Sequence, residues 1–67
     1  MKSTGMYCKN NNEIFVGDIL EDDIGRRFVV RKQDGNYVVS EEGNVNEVFS
    51  DLNEVFACIV TKVGSAN

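Results

Sequence analysis

The side chains able to do chemistry in this sequence are seven cations, eleven carboxylates, two thiols and two phenols, and their spacing decides what they can do. Four of the seven cations crowd together as Arg26, Arg27, Arg31 and Lys32, with Tyr37 shortly after. At that density they could meet phosphates, with Phe28 and Tyr37 as rings for base stacking. The competing reading is a solvated hairpin whose basic side chains pair across strands with Asp34, Glu41 or Glu42. The formal charge, 7 − 11 = −4, repels a polyanion, and aromatic interleaving is sparse. Nucleic acid is therefore disfavoured as a partner. Arg26, Arg27, Arg31, Lys32 and Tyr37 are carried forward as a candidate interaction surface.

The acids fall as Glu21-Asp22-Asp23, Glu41-Glu42, and then Glu47, Asp51 and Glu54. Paired carboxylates could serve acid–base work or hold Mg²⁺ or Ca²⁺. No calcium-loop spacing occurs, and neighbouring acids in turns ordinarily confer solubility. An alternative is mimicry, in which rows of carboxylates occupy the nucleic-acid groove of another protein; that reading requires one contiguous acidic face. Asp18, following Gly17, reads as an acceptor for backbone N–H groups at a strand kink. Cys58 lies in an apolar run and reads as core, whereas Cys8 reads as the more exposed thiol, with only Lys9 nearby to activate it. Tyr7 and Tyr37 suit either an interface anchor or the edge of the core.

Equally informative is the absence of histidine. Ser-His-Asp and Cys-His nucleophile arrangements cannot be assembled within the chain, nor can a Cys₂His₂ zinc site. Two cysteines fall short of a Cys₄ site without dimerisation, and their spacing forbids a CxxC redox motif. The expectation is a non-enzymatic protein with no catalytic residues, no metal and no cofactor, acting through an unidentified protein partner.

The elements that must position these groups fit in one domain, since the chain has 67 residues. Residues 1–12 read as a lead-in and 64–67 as a fraying tail. A core this small leaves apolar surface uncovered, which a homodimer would hide. No apolar run approaches the ~20 residues of a membrane span, and Met1-Lys2-Ser3-Thr4-Gly5 is followed by no secretory apolar region. A cytoplasmic setting with two free thiols follows as the default.

Glu13–Leu20 is rich in β-branched and aromatic residues and predicts a first strand, interrupted at Gly17 by a bulge or a close backbone approach. Residues 26–32 and 37–40 flank Asp34-Gly35 and predict a hairpin, with Phe28 and Val30 facing the core. Val45, Val48, Phe49 and Leu52 have helical spacing, enough for one short turn. Val55–Val63 is nearly continuous in apolar character and predicts a strand buried on both faces. These elements give a mainly β fold: a small SH3-like β-barrel of four to five antiparallel strands with at most one short helical turn.

Ser3-Thr4-Gly5-Met6, Lys9-Asn10-Asn11 and Glu13-Ile14-Phe15-Val16-Gly17-Asp18-Ile19-Leu20 together resemble the YopX-like family of phage and prophage proteins. That family carries a stretch of the form T-G-L-x-D-K-N-G-x-E-I-Y/F-x-G-D-I-V. Met6 replaces its Leu, Phe15 takes the aromatic place, and Leu20 replaces the Val. The specific part of the likeness covers about the first third of the chain, while the hairpin and Ala57-Cys58-Ile59-Val60 look like the family's later strands. Longer members carry a further region before this stretch, so the chain resembles a minimal form holding only the barrel-like portion. The resemblance implies a mobile-element origin and a small β-barrel. It implies no enzymatic chemistry and transfers no functional residues.

Overall fold

The computed structural model describes residues 2–65, and among them the chain is mainly β. Seven strands are present: β1 (Ser3–Tyr7), β2 (Glu13–Phe15), β3 (Asp18–Glu21), β4 (Arg27–Gln33), β5 (Asn36–Glu41), β6 (Ser50–Asp51) and β7 (Thr61–Ser65). One short helix, α1 (Glu54–Ala57), precedes β7. The pairing is antiparallel throughout, in a five-stranded sheet ordered β6-β5-β4-β3-β7 and a two-stranded sheet β1-β2. The sheets are not closed into one hydrogen-bonded ring, because β6 and β7 remain edges. The antiparallel β class therefore holds without the SH3-like closure expected from the sequence.

The best-defined local feature is the β4–β5 hairpin. Asp34 and Gly35 both adopt positive φ, 51° and 81°. That is the two-residue turn whose twist matches paired strands, and Asp and Gly tolerate it. Below the turn the register runs from Gln33↔Asn36 to Phe28↔Glu41. Phe28 and Val30 face the core at 1% and 0% exposure, as the alternation predicts. They join Ile14, Leu20, Val39, Leu52, Ala57 and Val60, with Phe56, Met6 and Tyr37 packed at the margin.

The predicted first strand is two strands. Gly17 takes φ 96°, a conformation costly for any L side chain, and turns the chain from β2 into β3. Its N–H donates to Val30 O at 2.9 Å, so the corner is fastened to the centre of β4. Residues 3–7 of the expected lead-in form β1, which pairs with β2 across a register shift. At the other end, Gly64 and Ser65 pair with Ile19 and Asp18 rather than fraying; the rest of the predicted tail lies outside the described residues.

Three further expectations need correction. The segment around Val45, Val48 and Phe49 forms turns, and Ser50–Asp51 then continues the sheet as β6. Phe49 N–H donates to Val39 O and Leu52 N–H to Tyr37 O, so backbone pairing to β5 outcompetes a segment poor in helix formers. The helix lies instead in the run read as a continuous strand. Asn53 caps it by accepting the Phe56 N–H at 3.0 Å, and Glu54 occupies its first turn. Of that apolar run only Ala57 and Val60 are buried, while Val55, Cys58 and Ile59 are exposed. The two thiols also exchange their expected settings. Cys8 is buried where the chain turns towards β2, with Sγ donating to Asn10 Oδ1 at 2.6 Å. Cys58 ends α1 and is exposed.

Candidate functional site

Every member of the predicted basic surface has an intramolecular partner. Arg26 pairs with Asp22 at 2.8 Å, and its guanidinium lies 5.4 Å from the Phe49 ring centre and 5.9 Å from that of Phe28. Arg27 approaches Glu42 at 3.8 Å. Arg31 donates to Ser40 Oγ at 2.9 Å and also to Val45 O, which ties the 42–49 loop down over the sheet. Lys32 lies 5.5 Å over the Tyr37 ring, and Tyr37 Oη donates to Ser3 O, linking β5 to β1. Strand alternation separates Arg27 and Arg31 from Lys32, so the five residues form no single patch.

The carboxylates are likewise interrupted. Asp22 and Glu42 are matched by Arg26 and Arg27, Asp18 is buried, and Asp34 lies at the opposite end of the β4–β5 hairpin from Glu41 and Glu42. Burial opposes ionisation of Asp22. The backbone N–H and side chain of Arg26, together with the Ile24 N–H and the Arg26 charge, outweigh it and hold the carboxyl below its ordinary value of 3.8. Because the folded value is the lower one, the stability this group contributes is complete above 3.8 and is lost as pH falls through the folded value. Asp22→Asn should therefore flatten the acid limb of a plot of urea midpoint against pH. An acid limb as steep as that of the unmodified protein would refute this assignment.

The residues that carried the family resemblance come together at the β2–β3 corner. Asp18 is fully buried; its Oδ2 accepts the Phe15 N–H at 2.7 Å and pairs with Lys62 Nζ at 3.0 Å. Lys62 also donates to Glu13 O at 3.4 Å and lies 5.2 Å from the Phe15 ring centre. Ser3 Oγ donates to the Glu13 carboxylate, and Thr4 Oγ1 donates to Ile14 O at 2.8 Å. Asn11 adopts φ 69°, a left-handed conformation that Asn tolerates, in the turn before β2. The kink reading of Asp18 is thus correct, but Lys62, 44 positions further on, has no signal in the sequence marking it as the partner. This constellation ties four strands together, β1, β2, β3 and β7, and leaves the Asp18 carboxylate inaccessible.

The described residues include two shallow hollows. One, of about 80 Å³, is lined by Glu41, Asn44, Glu47, Val48 and Phe49. The other, of about 250 Å³, lies between β1 and α1 and is lined by Gly5, Met6, Tyr7, Glu54, Ala57 and Cys58. Among the described residues no group of three or more His, Cys, Asp or Glu side chains is arranged to hold a metal ion. No helix among them is long and apolar enough to cross a membrane. The β1–α1 hollow escaped sequence reasoning because it depends on α1, which was read as strand.

The wider pattern of the chain decides its kinship. A family model described as YopX protein matches residues 1–65 of the 67. The chain belongs to the YopX family. The match extends past the first third that carried the resemblance, through the hairpin and on to β7. In this YopX-family chain the Gly17-Asp18 step is a buried corner that fixes one sheet against the other. No curated protein and no solved structure matches the chain.

Proposed function

We propose that this YopX-family protein acts without catalysis, by contact with another protein. The observation that carries the reading is apolar exposure on α1 and at the larger hollow: Val55 on α1 is 77% and Ile59 just after it 54% exposed, and Tyr7, which lines the hollow, is 56% exposed. Apolar exposure gathered about a hollow, unlike apolar residues scattered singly, is the kind that marks an interface. Its ionisable groups are paired, buried or dispersed rather than converging on a cleft. The acidic-mimic reading has less support, because Arg26 and Arg27 interrupt the acids. The nucleic-acid reading has less still, because the basic side chains are engaged internally. A phage or prophage origin and a cytoplasmic setting fit the family and the two free thiols.

Affinity capture with the tagged, full chain tests the reading. One protein should be retained at a near-stoichiometric level and should survive nuclease treatment and high-salt washing, as apolar contact does and phosphate contact does not. Retention no greater than that of an unrelated acidic domain of equal size would overturn it.

A further inference from the structure

We infer that the β1–α1 hollow receives an apolar side chain of a partner protein whose neighbouring residue is Lys or Arg. This inference rests on the protein-contact reading and names its surface and the chemistry that surface accepts. Gly5, Met6, Tyr7, Ala57 and Cys58 make up the lining together with a single carboxylate, that of Glu54. Met6 offers a flexible, polarisable thioether that adapts to what enters, and Tyr7 offers a half-exposed ring of the kind that anchors interfaces. Val55 and Ile59, carried by α1 and the turn after it, extend the apolar exposure.

Charge selects the occupant. Glu54 is the one charged side chain lining the hollow, and no cation pairs with it among the described residues. A basic residue next to the inserted side chain would meet that carboxylate. The net charge of −4 draws such a partner in. The same charges argue against a second copy. A two-fold contact through this hollow would bring two identical surfaces together, with a Glu54 carboxylate from each copy and two like net charges.

The test uses the full chain with a photo-crosslinking amino acid in place of Val55, or separately in place of Ile24, which is 72% exposed in the turn between β3 and β4. Each is irradiated in a lysate of the source cells, and the crosslinked segment is read by mass spectrometry. The expected result is a crosslink from position 55 to another protein, at a segment where an apolar residue adjoins Lys or Arg. Its yield should fall at least tenfold in Glu54→Lys and by a smaller factor in Glu54→Gln, each shown to be folded by circular dichroism. A crosslink to a second copy of this chain would overturn the inference. So would a segment lacking a basic residue, or a yield indifferent to both Glu54 variants. Crosslinks from position 24 alone would overturn this surface and leave the contact reading standing; none from either position would end both.

Discussion

Replacing Lys62 with methionine should cost this protein roughly 3–5 kcal/mol, the usual penalty for stranding one member of a buried ion pair. Among the described residues the ammonium is the one cation paired with the Asp18 carboxylate, at 3.0 Å, and Asp18 is wholly shielded from water. Asp18 Oδ1 already has no hydrogen-bond partner among the described residues, so without Lys62 the carboxylate keeps the Phe15 N–H as its donor. Small domains are held by only about 5–15 kcal/mol, so the variant should unfold at a much lower urea concentration. The opposite deletion should be milder. Asp18→Asn keeps an acceptor for the Phe15 N–H, and the Lys62 side chain, 28% exposed, can turn towards solvent. Urea melts of the two variants should therefore separate, with Lys62→Met the less stable. Equal midpoints, or the reverse order, would show that the pair does not hold the corner.

A second large loss is expected at Phe28. Its ring is 1% exposed, with the Phe49 centroid at 4.7 Å and the Phe56 centroid at 5.4 Å in edge-on contact. These neighbours come from the loop before β6 and from α1, so the ring joins both to the hairpin. Phe28→Ala removes the buried surface, leaves a cavity and forfeits two aromatic contacts; the expected cost is about 3–5 kcal/mol. Ile24→Ala, at the exposed β3–β4 turn, should change stability by no more than about 0.5 kcal/mol. Thermal melts of the pair give the comparison, and a Phe28→Ala midpoint close to that of Ile24→Ala would contradict the packing described.

The hairpin was legible because it is local: Asp34-Gly35 dictates a turn type, and alternation on either side assigns the faces. The Gly17 kink and the role of Asp18 as an acceptor were legible for the same reason. Misreadings arose where distant contacts decide between local alternatives. Val55–Val63 has strand composition, yet the Asn53 cap closes one helical turn and burial falls on Ala57 and Val60 alone. The spacing of Val45, Val48, Phe49 and Leu52 suits a helix, but open backbone groups on β5 draw Phe49 and Leu52 into the sheet. Cys8 and Cys58 were exchanged because thiol burial follows from where the chain turns, which neighbours in sequence do not reveal. The candidate hollow required β1 and α1 to be brought together from opposite ends of the chain, a pairing that no sequence period encodes.

The most direct test of the account asks whether the Gly17-Asp18 corner is framework while contact happens elsewhere. In the double variant Asp18→Asn with Lys62→Met both charges are gone and shape is nearly kept, a change buried pairs commonly tolerate. Partner retention by this folded double variant should equal that of the unmodified protein in the same capture assay. Loss of the partner by a double variant whose circular dichroism and melting midpoint are unchanged would place Asp18 and Lys62 in the working site and contradict the account.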